Sequence, residues 1–300
     1  MLSGIGRDEV GAVVVFYNPD RACIERANRI ANLCRCVVID NTPADVHSPE
    51  VARALDARIG YVANVRNVGI ATALNQGLER LIAEGRKYAL LFDQDSEPTE
   101  ALARELVRVM SECVARREAV AVVGPAYEDA RLKGVAPFVR FGYFRLKRIA
   151  PLGNEPIDVD FLITSGSCLN LGCWSDVGRM DDSLFIDFVD TEWCIRARAR
   201  GYRVVGIPWL RMQHELGEEP IRAFGRRYPM HSPVRHYYLF RNAVALLKRG
   251  YVPWTWKSTE LIKLPVRLVI YALYAPDARA HLTMALRGIR HGLTGRMGVL

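Results

Sequence analysis

The segment that constrains this chain most is LLFDQDSEP, residues 90–98. Leu90, Leu91 and Phe92 pass directly into Asp93, Gln94 and Asp95, and Pro98 starts a new element. A short apolar run that stops at polar residues reads as a strand buried on both faces, the habit of parallel sheets. Open α/β sheets bind ligands at the carboxyl ends of such strands. Two carboxylates spaced i, i+2 in extended chain repel unless a cation or hydroxyl donors lie between them. Oxygen donors beside a diphosphate suit Mg²⁺ or Mn²⁺. Taken alone, the segment fits an ordinary solvated acidic turn equally well, so its neighbours decide.

The pattern recurs along the chain. VGAVVVFYNPD (10–20) is a β-branched run ending at Tyr17 and Asn18, with Asp20 as N-cap of an amphipathic helix through Ala31. CVVIDN (36–41) is a second strand, ending at Asp40 and Asn41, and IGYVAN (59–64) a third. In RNVGIATALNQGLERLIAEG (66–85), Gly69 permits a tight turn, and Ile70, Leu74, Leu78 and Leu81 recur at helical spacing up to a C-capping Gly85. A helix over 100–117 and a strand over 119–127 follow strand four. Alternation of this kind predicts an α/β fold with a mostly parallel, doubly wound sheet flanked by helices. The polar residues Tyr17, Asn18, Asp40, Asn41, Asp93 and Asp95 all fall at strand ends. That convergence, more than any one motif, predicts a single nucleotide-type pocket.

Later segments are less regular. Residues 128–156 read either as an extra hairpin or as a flexible loop. A strand is expected to run into Ser165-Gly166-Ser167, a tight turn that is either near an acceptor or only a turn. Asp190 can cap a helix carrying Glu192 and Trp193; an indole in such a place is more often core than a sugar-stacking platform. His214 stands alone in MQHE.

Charge divides the chain. From residue 220 onward there are fourteen Lys/Arg and two Asp/Glu, whereas the rest holds 27 basic and 31 acidic residues, within an overall charge of +8. The expected organisation is a nucleotide-binding and catalytic domain over 1–220 and a basic helical region over 221–300. The latter is rich in Leu, Tyr and Trp, as in helices that lie on an anionic membrane surface. The seven cysteines show no zinc spacing and read as buried fillers of a protein in a reducing cytosol. No secretory h-region and no membrane-spanning run is expected, nor any recognised nucleic-acid motif.

Together and in order, FYNPD, VIDN, NVGIATALNQGL, LLFDQDS, TSGSCLNL, FIDFVDTEWCIRARARGY and MQH resemble the family 2 inverting glycosyltransferases of the GT-A fold. LFDQDS with IDFVDTEWCIR is similar to the bacterial branch that uses dTDP-L-rhamnose. The resemblance covers about residues 10 to 250. It implies that Tyr17, Asn18, Asp40 and Asn41 contact the nucleotide base, and that Asn67, Gly69 and Asn75 pack beside the nucleotide. It implies that Asp93 meets the ribose, with Gln94 alongside, and that Asp95 and His214 hold Mg²⁺ or Mn²⁺. Asp190 takes the position of the catalytic base. The Glu that precedes this Asp in the family is Val189 here, which leaves open whether Glu192 or Asp187 shares the role. Ser165, Gly166, Glu192 and Trp193 are candidate acceptor-side or supporting residues. The implied partners are dTDP-L-rhamnose and a lipid-linked or oligosaccharide acceptor, with no nucleic acid. The implied location is cytoplasmic, peripheral at the inner face of the membrane. Two other readings stand: the same chemistry on a UDP- or GDP-sugar, or a non-catalytic, membrane-attached glycan-assembly subunit.

Overall fold

A computed structural model describes residues 7–129, 134–143, 145–213, 218–223 and 226–300. The strands are β1 (Val10–Phe16), β2 (Arg35–Asp40), β3 (Gly60–Ala63), β4 (Tyr88–Asp93), β5 (Val120–Asp129), β6 (Gly134–Val135), β7 (Phe138–Phe141), β8 (Leu146–Ile149), β9 (Ile157–Val159), β10 (Ser167–Asn170), β11 (Arg203–Gln213), β12 (Glu218–Ala223) and β13 (Arg226–Met230). The helices are α1 (Arg21–Leu33), α2 (Pro49–Ala54), α3 (Ile70–Ala83), α4 (Glu100–Ala115), α5 (Trp174–Val177), α6 (Val189–Ala199), α7 (Pro233–Leu247), α8 (Trp254–Tyr274) and α9 (Ala278–Thr294).

The main sheet runs β3-β2-β1-β4-β10-β5-β11-β9, with β6 against β5. Its first four strands are parallel, and β5 pairs parallel with β11. Strand order reverses at β1, which pairs with β2 on one side and β4 on the other, so a crevice opens between their carboxyl ends. The register sets Asp93 beside Val15 and Asp40 beside Phe16, which brings the polar termini of three strands to one rim.

β10 is antiparallel between β4 and β5. This departs from the expected strand running into Ser165. The chain crosses at the rim first and then descends, so Ser165 and Gly166 precede β10 and sit beside the end of β4. Gly166 N–H donates to the Leu91 carbonyl at 2.7 Å. In the uncertain segment 128–156, the hairpin alternative forms: β7 and β8 pair antiparallel, Phe138 against Ile149.

Local chemistry explains the helices that carry the rim. Asp20 caps α1 by accepting from Cys23 N–H at 2.8 Å, and Thr99 caps α4 through Leu102 N–H at 3.1 Å. Leu74, Leu78 and Leu81 of α3 bury against Val13 and Val15 of β1. Each such side chain contributes roughly 1.5–3 kcal/mol through apolar area removed from water. All seven cysteines are buried and reduced.

The basic C-terminal helices pack on one another and on the sheet layer. α7 and α9 approach closely enough that a Cβ on Gly288 would stand 2.4 Å from the Tyr237 carbonyl oxygen. Among the described residues no helix is long and apolar enough to cross a membrane.

Candidate active site

A cleft of about 830 Å³ lies over the crevice between β1 and β4. Its floor and one wall carry Tyr17, Asn41, Asn67, Asp93, Gln94 and Asp95. The opposite wall comes from Phe185, Ile186 and Asp187, and from His231, Ser232, Arg235 and Tyr238 at the start of α7.

The floor is tied together by its own polar groups. Gln94 clasps Tyr17 in both directions: Tyr17 N–H donates to Gln94 Oε1 at 2.8 Å, and Gln94 Nε2 donates to the Tyr17 carbonyl at 3.2 Å. Asn18, at a left-handed φ of 48°, donates its N–H to Thr42 Oγ1 at 2.8 Å. Asn41 Nδ2 donates to the Gly69 carbonyl at 3.1 Å, and Asn67 Oδ1 accepts from Gly69 N–H at 3.0 Å. Ser165 Oγ accepts from Asp93 N–H at 3.3 Å and bonds Ser96 Oγ, so it props the Asp93–Asp95 turn from below.

Gly69 is the hinge between floor and wall. Its φ is 84°, and a Cβ there would stand 2.6 Å from the Phe185 carbonyl oxygen. That same carbonyl accepts from Ile70 N–H at 2.7 Å. α3 therefore begins without a side-chain cap, its first N–H groups served partly by the opposite wall.

That wall is held in an unusual backbone state. Phe185, Asp187 and Phe188 all have φ between 63° and 66°. Side chains other than glycine adopt this region at a cost of about 1–3 kcal/mol each, and such residues gather where surrounding structure dictates geometry. Here the surroundings are α7. Asn242 Nδ2 donates to the carbonyls of Leu184, Ile186 and Asp187 at 2.9, 2.7 and 2.9 Å. The fully buried Arg241 donates to those of Ser183 and Leu184, both at 2.9 Å.

Several residues named from the sequence lie away from the cleft lining. Asp40 is fully buried; its oxygens accept from Tyr61 Oη at 2.7 Å and Thr42 N–H at 2.8 Å. Asn75 is buried on the far side of α3, where its amide exchanges hydrogen bonds with Met180 at 2.9 Å in both directions. Glu192 is fully buried, gripped by Arg196 at 2.8 and 3.0 Å, by Arg249 at 3.2 Å and by Tyr251 Oη at 2.5 Å. Trp193 is core, its Nε1 donating to the Gly178 carbonyl at 2.9 Å. His214 lies outside the described residues. Among those described, no group of three His, Cys, Asp or Glu is arranged to hold a metal ion.

Two carboxyl groups meet near the α6 terminus. Asp190, on the second residue of α6, accepts from Thr191 N–H at 2.6 Å and Thr191 Oγ1 at 3.2 Å. Burial pushes its carboxyl above the ordinary carboxylate range, against those hydrogen bonds. The helix terminus alone would have favoured the anion; desolvation outweighs it. Asp187 reaches the cleft itself. Oδ1 accepts from Arg235 Nε at 3.2 Å, and Oδ2 is buried with no partner among the described residues. Burial raises Asp187 too; Arg235 pulls it back down, and neighbouring Asp190 adds to the rise.

Sequence reading missed His231, Ser232, Arg235 and Tyr238, because it assigned the basic region to a separate role. A local signal was present: Ser232-Pro233 is an N-cap followed by a first-turn proline. Ser232 Oγ does accept from Arg235 N–H at 3.3 Å, which fixes the helix start against the cleft.

Residues 12–161 match the family model Glycosyl transferase family 2. The chain belongs to that family.

This glycosyltransferase is 30% identical over 295 residues to the dTDP-rhamnosyl transferase RfbF of Shigella flexneri, covering 95% of this chain and 96% of that protein. It is 21% identical over 308 residues to the low-salt glycan biosynthesis hexosyltransferase Agl10 of Haloferax volcanii, covering 97% and 93%. Among solved structures, GalNAc-T7 with UDP, GalNAc and Mn²⁺ superposes with a TM-score of 0.56 at 14% identity, over 96% of this chain and 56% of that one. The chain thus spans little more than half of that structure's length. Residues 1–349 of S. aureus TarS give 0.53 at 12% identity, covering 96% and 82%. These likenesses show the GT-A fold, with a mostly parallel sheet flanked by helices and the C-terminal helices added.

Proposed function

We propose that this glycosyltransferase transfers L-rhamnose from dTDP-L-rhamnose to a hydroxyl of a bacterial cell-surface glycan precursor, with inversion at the anomeric carbon. The observation that carries the reading is the meeting of Tyr17, Asn41, Asp93 and Asp95 in one cleft at the point where strand order reverses. The choice of donor rests on the relative named for dTDP-rhamnosyl transfer, similar along nearly its whole length.

In this reading the base and ribose lie along Tyr17, Asn18, Asn41 and Asp93, with Asp40, Asn67 and Gly69 shaping the floor and Asn75 tying α3 to Met180 behind it. Gln94 keeps β1 and β4 locked beneath them. The donor set fits a hard divalent cation: Asp93 and Asp95 present oxygens on one turn, and Asp95 is exposed to the cleft. Asp95, with His214, would hold Mg²⁺ or Mn²⁺. Such an ion, when bound, offsets the charge that develops on the leaving diphosphate. His231 borders the same cleft, and burial pushes its imidazole down to about 4, so it is neutral at working pH.

The chain's own part is proton transfer. Asp190 takes the acceptor's hydroxyl proton as that oxygen attacks the anomeric carbon, and Asp187, which lines the cleft, shares the task. A carboxyl raised toward the operating pH is a better proton acceptor than an ordinary surface carboxylate. Residues 1–220 act as the catalytic unit, and the helices beyond supply its second wall and hold the enzyme at the inner face of the membrane, where a lipid-linked acceptor resides.

A thermal-shift panel of dTDP, UDP and GDP with Mn²⁺ or Mg²⁺ tests the donor. Ligands that bind only the folded state raise its melting temperature by mass action. dTDP is expected to give the largest shift. A larger shift with UDP or GDP would move the donor to another nucleotide sugar, and no shift with any of them would favour a non-catalytic role.

A further inference from the structure

α8 presents to solvent a face with no polar side chain at its centre. Ile262, Val266, Val269 and Leu273 follow one another at i, i+4, i+7 and i+11, the spacing of a single helix face. All four are exposed, Ile262 at 71% and Leu273 at 67%. Leu261 widens the stripe and Trp254, 72% exposed, stands at its start. From Leu261 to Leu273 the stripe is about 18 Å long. Scattered exposed apolar residues are normal in any protein; a continuous stripe of this length marks a contact surface.

The opposite side of the same helix is fully used. Leu264, Ile270 and Tyr271 bury against α7 and α9. Glu260, the helix's one acid, is also turned inward, and it accepts from Lys263 Nζ at 3.0 Å and Arg267 Nη1 at 2.7 Å. The outward face thus has no acid; Lys257 and Lys263 lie at its flanks, while Arg267 reaches round to Glu260 on the inward side. Charge decides the occupant. A second copy placed on this face would bring like cations together. A layer of anionic headgroups over an apolar interior complements both the flanks and the stripe.

We propose that this face of α8 lies in an anionic lipid bilayer, with the stripe inserted to the headgroup–acyl boundary and the cations at headgroup level. The inference deepens the reading of an enzyme that works on a lipid-linked acceptor and rests on it for its biological sense. Its test is independent of turnover.

The experiment is flotation of the full chain with vesicles of phosphatidylglycerol and phosphatidylethanolamine, and with phosphatidylcholine vesicles, at low and high salt. The wild type is expected to float with the anionic vesicles, and high salt should weaken this without abolishing it. Ile262→Glu with Leu273→Glu should lower partitioning at least about tenfold, because two buried aliphatic side chains are lost. Both sites are exposed, so the melting temperature and its shift with dTDP should not move. Three results would overturn the proposal: no flotation of the wild type, unchanged flotation of the double variant, or a double variant that changes only from dimer to monomer in sedimentation. If vesicle binding behaves as expected while no nucleoside diphosphate shifts the melting temperature, the membrane face stands and the donor reading fails.

Discussion

Arg235 Nε donates to Asp187 Oδ1 at 3.2 Å, which joins the first turn of α7 to the loop that precedes α6. The bond uses one edge of the guanidinium. Its two terminal nitrogens make no hydrogen bond among the described residues, and the side chain borders the same cleft as Asp93 and Asp95.

Those free donors suit a diphosphate. Arg235→Ala is expected to weaken dTDP binding about tenfold, the usual size of a charge-assisted hydrogen bond, while binding of thymidine stays the same. Isothermal titration of the two ligands measures the difference. Equal losses for both would assign Arg235 to the shape of the cleft rather than to phosphate.

Asp190→Asn is expected to abolish turnover while dTDP binding persists. For the wild type, the sign of the pH effect follows from the raised carboxyls. A proton acceptor works only when ionised, so kcat/KM should climb with pH, with its acid limb above the ordinary carboxylate range. Asp187→Asn should leave a shallower acid limb if the two groups titrate together. A limb at the position of a free carboxylate would count against both residues.

The same burial has a stability consequence. A carboxyl raised on folding binds its proton more tightly in the folded state, so its favourable contribution is complete below the unfolded value and lost as pH rises through the folded one. Asp187→Asn should therefore raise the melting temperature near pH 8, and the gain should vanish in acid. Calorimetry across that range gives the answer; a loss of stability at every pH would mean that the Arg235 contact outweighs desolvation.

Gly69→Ala sets a methyl group against Phe185 and forces a left-handed φ on alanine. The expected loss is about 1–3 kcal/mol in urea unfolding. Because the same contact sets the spacing of the two walls, dTDP affinity should fall as well. A destabilised variant with unaltered affinity would separate the two effects.

The parallel half of the sheet was legible because β1, β2 and β4 are unbroken apolar runs that stop abruptly at Asn18, Asp40 and Asp93. Period and stopping point suffice for such strands. The direction of β10 was not legible: SCLN is short, and only its pairing with β4, Ser167 opposite Leu91 and Asn170 opposite Tyr88, shows which way it runs. Asp40 and Asn41 look alike as a strand-end pair, yet the pleat sends one inward to Tyr61 and the other to the cleft. Glu192 reads from the sequence as a candidate to share the role of Asp190, but it is buried and held by Arg196, Arg249 and Tyr251, as a carboxylate can be when enough donors surround it. The α7 wall escaped notice because its partners are far away in sequence, as the 48-residue separation of Arg235 from Asp187 illustrates.

The clasp of Asn242 on the 184–187 loop also fixes when binding competence can arise. Val15 and Tyr238, which border the same cleft, are separated by most of the catalytic fold, so a nascent chain grown only to residue 230 has the floor and the 184–187 loop without the α7 residues that hold that loop. The loop held by Asn242 would have to wait in a backbone state it does not favour. Any ligand of this cleft thus waits for α7 to be made and to pack against the 184–187 loop.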